Sequence, residues 1–256
     1  MTHPYFQKAR HPRVLAHRGL VLADGTGPVL CENTAGAFAA AHASGAEYVE
    51  TDCRVTADGD VVLFHDETLE RVLGDPRPVD QVRTVELAEL LAPFGGLLTV
   101  AEMLEMFPET RFNIDVKTDA AAAPLGPAVA PHAHRVLLTS FSDARRRRAI
   151  ASVLAAGAGI RPAASAGQSS MIRVRALTAL RLSPARVLRD LDALQIPETY
   201  GTVRVLTPAL LAAAHRHDVE VHVWTVNAAD DIRRLVSVGV DGVVTDRADV
   251  ALRTLS

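Results

Sequence analysis

The 256-residue chain is 48% hydrophobic and 22% charged, a composition that excludes disorder and lets a core form without disulfides or structural metals. A net charge of −3 gives no footing for a nucleic-acid surface, and no run approaches the ~20 apolar residues of a membrane span. The opening MTHPYFQKARHPRV lacks the apolar stretch of a secretory signal, so a cytoplasmic enzyme with Cys31 and Cys53 reduced is expected.

In chain order, short β-branched or apolar runs predict strands over 14–17, 48–55, 61–65, 112–117, 136–140, 193–196, 221–226 and 242–245, with a weaker one near 159–163. Alanine-rich amphipathic stretches predict helices over 34–44, 99–106, 143–155, 208–217 and 228–238, with Thr207 and Asn227 as capping residues. Strands alternating with helices imply a parallel sheet with right-handed crossovers. At this length the expected fold is α/β, a single β/α barrel, which takes about 250 residues, so residues 1–256 are expected to form one domain. Nine candidate strands exceed the eight of a barrel; the surplus is expected between Gly157 and Ile196, where periodicity is poorest.

Three connections depart from plain alternation. TADGD at Thr56–Asp60 carries Asp-Gly and joins the second and third strands as a hairpin would. The stretch Glu67–Leu98 is weakly periodic, holds Pro76, Pro78 and Gly95-Gly96, and reads as a short insertion after the third strand, a lid near the active face. AAAAPLGPAVAP, within Ala120–Pro131, is low-complexity and is expected to be a poorly formed helix or mobile loop.

Four strands end in groups that are costly to bury without a purpose: His17-Arg18-Gly19, Glu50 with Asp52, His65-Asp66, and Asp115 with Lys117. Residues two apart on a strand share a face, and two carboxylates on one face repel unless a cation lies between them. In a β/α barrel the C-terminal strand ends form one rim, where active sites sit. Three carboxylates without cysteine suit a hard cation such as Mg²⁺ or Ca²⁺, and two histidines suit general acid and base roles near neutral pH. Each group also has a plainer reading: a hydrogen-bonding histidine at a strand end, a wet edge strand for Glu50 and Asp52, a surface ion pair for Asp115 and Lys117. Those readings weaken together, because four strands would have to misplace polar groups at the same end. Lys117 is also one of only two lysines, with Lys8, among 27 basic residues. Trp224, the only tryptophan, suits a barrel core position or the wall of an alcohol pocket. Phe141 reads the same way. Arg145–Arg148 run round a helix start and read as a solvated surface, and His215, His217 and His222, without carboxylate partners at useful spacing, read as structural.

AHRG at Ala16–Gly19, ENTAGAF at Glu32–Phe38 and EYVETDCRVTADGDVVLFHDETLER at Glu47–Arg71 resemble the N-terminal signature of the glycerophosphodiester phosphodiesterase family. NIDVK at Asn113–Lys117, LTSFS at Leu138–Ser142, VWTVN at Val223–Asn227 and GVDGVVTDRAD at Gly239–Asp249 are similar to its later blocks in the same order. The resemblance implies a somewhat irregular (β/α)8 TIM barrel acting on a small-molecule glycerophosphodiester, with one divalent cation, Mg²⁺ or Ca²⁺. It implies Glu50, Asp52 and Asp115 as metal ligands, His17 and His65 as the acid–base pair, and Arg18 and Lys117 at the phosphate. In that family a glycerol hydroxyl attacks its own phosphorus, and water opens the resulting cyclic phosphate. The chain departs at Asp115, where the family often has glutamate, at Cys31, where proline is common, and at LLTVAEML, which lacks a usual proline.

Two rival readings accompany this one. A lyase of the sphingomyelinase D type would stop at the cyclic phosphate, but such enzymes tend to be secreted and disulfide-bonded. A silent barrel that only binds phosphodiesters would be expected to have lost a site histidine or carboxylate, and each is present.

Overall fold

The computed structural model of the protein describes residues 2–21 and 30–256. Eleven strands occur among them: β1 (Arg13–His17), β2 (Tyr48–Val55), β3 (Val61–Leu63), β4 (Arg111–Val116), β5 (Val136–Thr139), β6 (Ala163–Ala164), β7 (Ala193–Ile196), β8 (Thr199–Tyr200), β9 (Val203–Arg204), β10 (Glu220–Val223) and β11 (Gly242–Thr245). Eight of them pair in parallel in the order β6-β5-β4-β2-β1-β11-β10-β7. The ring closes through a parallel bridge between Ser165 and Ala193, where Asp192 N–H donates to Ala164 C=O at 2.8 Å and Ala166 N–H to Ala193 C=O at 3.2 Å. The result is the expected (β/α)8 barrel, with its weakest pairing at the β6–β7 seam.

The surplus strand is not where periodicity pointed. The region 157–196 supplies two true barrel strands, β6 and β7, whereas β3 stands outside the barrel and pairs antiparallel with the upper end of β2. β6 is only Ala163–Ala164, too short to show a period; the Asp192 carboxylate completes its edge by accepting from Ala164 N–H at 2.8 Å. The TADGD hairpin is present, with Gly59 at φ 95°. Thr34, Thr99 and Thr207 cap their helices through the side chain. Asn227 does not: the helix Ala229–Ser237 begins after Ala228 with no side-chain cap, because Asn227 is turned toward β11.

Glu67–Leu98 is not a lid. It folds into the helices Glu70–Leu73 and Thr84–Leu91, which bury Leu69, Val79, Val82, Leu87 and Leu91 against Val62 and Phe64. That is a satellite core on the hairpin, and it contributes no wall to the cavity described below. The low-complexity stretch is ordered too: Leu125–Val129 is a helix that buries Leu125 and Val129. Tyr5 and Phe6 pack with Leu15, Tyr48, Leu137, Ala193 and Val244 near the N-terminal strand ends, and so seal the barrel opposite the rim that carries the site. No helix among the described residues is long and apolar enough to cross a membrane.

Candidate active site

β1 ends in His17, after which Arg18 (φ 57°) and Gly19 (φ 91°) take left-handed backbone conformations. A Cβ at Gly19 would lie 2.8 Å from the Ala37 carbonyl carbon, so the helix Ala35–Ala43 can approach only a glycine there. The turn aims Arg18 N–H at the Glu50 carbonyl (2.8 Å) and its guanidinium at Glu32 (2.7 Å) and Asp52 (3.2 Å). Parallel registration then does the assembly. His17 is the partner of Glu50, Glu50 of Asn113, and Asp52 of Asp115. Lys117, just past β4, places Nζ 2.8 Å from Asp52 Oδ1 and 2.7 Å from Asp115 Oδ2.

His65 arrives differently from the sequence expectation, which set it at the end of a barrel strand. β2 overshoots the rim, turns at Thr56–Asp60, and returns as β3. Phe64 N–H donates to Asp52 C=O at 3.1 Å, and His65 is thereby brought back level with the carboxylates. All eight residues singled out from sequence, His17, Arg18, Glu50, Asp52, His65, Asp115, Lys117 and Trp224, line one cavity of about 710 Å³. Trp224 stands in its wall, edge to face with Phe141 at 6.3 Å.

The supporting partners went unread in the sequence. His17 Nδ1 meets Asp246 Oδ1 at 2.6 Å, and Asn227 donates to the other Asp246 oxygen at 2.8 Å. His65 Nδ1 meets Asp66 Oδ1 at 2.6 Å, and Arg71 binds both Asp66 and Glu32, each at 2.5 Å. Asn33, at φ 60°, donates to Asp52 Oδ2 at 3.0 Å and accepts from Thr51. Asn33 and Asp246 lie 19 and 229 residues from the groups they hold, so only the quoted ENT and TDRAD runs hinted at them.

Two other sequence readings change. His215 and His222 do have carboxylate partners, Asp241 at 2.8 Å and Glu220 at 3.0 Å, but both pairs stand at the barrel's other end. Arg146 is not solvated: it is buried, donating to the Ser165 carbonyl and paired with Asp143 at 3.2 Å.

Electrostatics divides the three carboxylates. Burial opposes charge on Asp52, but Lys117 and Arg18 outweigh it and hold the carboxyl below its usual range. Burial and the neighbouring Asp52 push Glu50 up to about 8, and burial likewise raises Asp115 despite Lys117. Glu50 Oε2, Asp115 Oδ1 and Asn113 Oδ1 are buried without a hydrogen-bond partner. Burial works against a charged His17, yet Asp246 and Glu50 raise its pKa. As the side chains stand, no three His, Cys, Asp or Glu groups among the described residues converge as a preformed metal cage.

A β/α barrel whose rim joins two buttressed imidazoles, three carboxylates and a lysine defines a phosphoester-cleaving enzyme class. Residues 17–250 match the glycerophosphoryl diester phosphodiesterase family, and the chain belongs to that family of phosphoric diester hydrolases. A probable glycerophosphodiester phosphodiesterase 2 of Mycobacterium tuberculosis is 38% identical over 92% of this chain and 88% of its own length. The barrel superposes on the crystal structure of a Thermotoga maritima glycerophosphodiester phosphodiesterase with a TM-score of 0.71, at 24% identity over 96% of this chain and 99% of that one. An Oleispira antarctica phosphodiesterase solved in complex with the product sn-glycerol-3-phosphate aligns with a TM-score of 0.68 at 19% identity, covering 96% of this chain and 97% of that one.

Proposed function

We propose that residues 1–256 act as one cytoplasmic domain that hydrolyses glycerophosphodiesters to sn-glycerol 3-phosphate and an alcohol, with His17 and His65 as the acid–base pair. The observation that carries this reading is that both histidines open into one cavity and each is held through Nδ1 by a carboxylate at 2.6 Å, Asp246 or Asp66. That arrangement fixes the ring and leaves Nε2 to exchange protons with substrate.

Lys117 has three ammonium donors, of which Asp52 and Asp115 take two; the third, with Arg18, meets the phosphoryl oxygens. One histidine takes the proton from a glycerol hydroxyl as its oxygen bonds phosphorus, and the other gives a proton to the departing alcohol. A cyclic phosphate results, and the two exchange roles as water opens it. Trp224 walls the alcohol side.

The donor chemistry suits a hard divalent cation, Mg²⁺ or Ca²⁺, since the two carboxyls pushed upward, Glu50 and Asp115, are the ones with an unpartnered buried oxygen. Glu50, Asp52 and Asp115 would hold it, and it would supply stabilisation of charge on the phosphoryl oxygens.

The test is release of glycerol 3-phosphate from glycerophosphocholine and glycerophosphoethanolamine by the purified protein, with Mg²⁺, Ca²⁺ or EDTA, and with His17→Ala. Metal-dependent release lost in the variant supports the reading; no release from folded protein with either metal would overturn it. Phosphorus NMR separates hydrolysis from a lyase that stops at the cyclic phosphate.

A further inference from the structure

Charge is unevenly placed along this chain. Between Asp143 and Asp190 it holds ten arginines and no lysine, aspartate or glutamate, although its net charge is −3. Arg145, Arg146, Arg148 and Arg161 reach carboxylates outside that stretch, on Asp119, Asp143 and Asp192. Arg173, Arg181, Arg186 and Arg189 are exposed and have no such partner among the described residues.

The same stretch turns apolar side chains outward at the mouth of the cavity. On the helix Gln168–Ala179, Val174 and Thr178 are buried, while Ile172, Ala176, Ala179 and Leu180 form an exposed stripe at the i, i+4, i+7, i+8 spacing. Ile172, Ala176 and Ala179 also line the cavity, so the stripe is its lip. The opposite lip is the β8–β9 hairpin, with Tyr200 and Val203 turned to solvent. Leu180 and Tyr200 are each 70% accessible, and Ile172 is 62% accessible. Arg173 stands beside Ile172 in the stripe, Arg181 follows Leu180, and Arg204 flanks Val203, 3.8 Å from Glu198. Arg175 Nε donates to the Arg204 carbonyl at 3.2 Å and ties the two lips together. Arg186 and Arg189 stand on and just after the helix Ala185–Leu188, which packs against the first.

Large apolar side chains gathered in solvent mark an interaction surface, and the cations among them define what it meets. An anionic bilayer has the matching layers: phosphates for the arginines, a headgroup zone for Tyr200, and acyl chains just beneath for Ile172, Leu180 and Val203. A nucleic acid offers the phosphates without the apolar layer. A two-fold copy of this chain would set the uncompensated arginines against their own image. We propose that this lip docks the mouth of the cavity peripherally on an anionic lipid surface. The inference goes beyond the reaction proposed above, and its test needs no turnover.

The experiment is co-sedimentation of the purified protein, at low salt, with phosphatidylcholine vesicles and with vesicles containing about one third phosphatidylglycerol. The expected result is binding to the anionic vesicles, at least about tenfold weaker binding to phosphatidylcholine alone, and partial loss as salt rises. The double variant R173E/R181E should bind the anionic vesicles roughly twentyfold more weakly, and Leu180→Asp about tenfold. Arg253→Glu reverses a charge on the helix Ala248–Thr254, which packs on β1, four strands round the ring from β6. It should change binding by less than about twofold. All these positions are exposed or partly exposed, and circular dichroism checks that each variant is folded. No binding to anionic vesicles at low salt overturns the proposal. So does an Arg253→Glu loss as large as that of R173E/R181E, or binding that Leu180→Asp leaves unchanged. A duplex DNA fragment bound as tightly as the vesicles would mean a general attraction for polyanions, and overturns it as well. A dimer in sedimentation velocity that Leu180→Asp breaks would mean that a second copy covers the lip, with the same consequence.

Discussion

His17 Nδ1 lies 2.6 Å from Asp246 Oδ1, and Asn227 holds the opposite oxygen of that carboxylate at 2.8 Å. The ends of β1, β10 and β11 thus combine to fix one imidazole. Asp246→Asn should lower kcat by about tenfold to a thousandfold, and His17→Ala by about a hundredfold to ten-thousandfold. Unchanged circular dichroism would show that folding is intact. An Asp246→Asn enzyme with wild-type kcat would remove Asp246 from the site.

The proposed divalent-cation site makes cation dependence the expected outcome, Glu50 and Asp115 each having a buried unpartnered oxygen. Activity should vanish after EDTA and dialysis and return on adding Mg²⁺ or Ca²⁺. Glu50→Gln removes one anionic donor and should raise the half-saturating cation concentration by roughly one to two orders of magnitude. Full activity of the stripped protein in chelator would refute the cation's role.

Glu220, at the sealed end of the barrel, responds to acid. Burial opposes its charge, but His222 and Arg13, at 3.0 Å each, outweigh that and lower its pKa from 4.5 to about 2. A carboxyl depressed in the folded state stabilises the protein fully above its unfolded pKa, and the benefit is lost as pH falls through the folded value. Urea unfolding should therefore find Glu220→Gln less stable by about 2–3 kcal/mol at neutral pH. The gap should close between pH 4.5 and about 2. A gap of constant size across that range would contradict the linkage.

Gly126 sets the spacing between the helices Leu125–Val129 and Asp143–Ala155. A Cβ there would lie 2.6 Å from the Ser152 carbonyl oxygen and 2.7 Å from its carbon, so only glycine allows the approach. Gly126→Val should destabilise by about 1–3 kcal/mol, seen in calorimetry as a Tm lower by roughly 2–10 °C. An unchanged Tm would mean that the helices part without cost.

The sequence by itself determined the barrel's alternation and the chemistry-bearing strand ends. A strand's period places Glu50 with Asp52, and Asp115 with Lys117, on common faces, and nothing elsewhere in the chain is needed to know it. The helix cap Thr207 was legible for the same reason, as the bond it makes is local. Only the tertiary structure decided what closes over long separations. It assigned β3 to a hairpin outside the barrel and raised the two-residue β6 to a barrel strand, because pairing partners and not local period define a short strand. It brought Asp246 to His17 just past the parallel β1–β11 pairing, and Asn33 to Asp52 from the turn before the helix Ala35–Ala43, contacts between segments with no periodic relation. It also laid an apolar helix face and a hairpin beside the polar rim: residues 171–176 and 200–203 have no pattern in common, and become one trough only when the barrel sets them opposite each other.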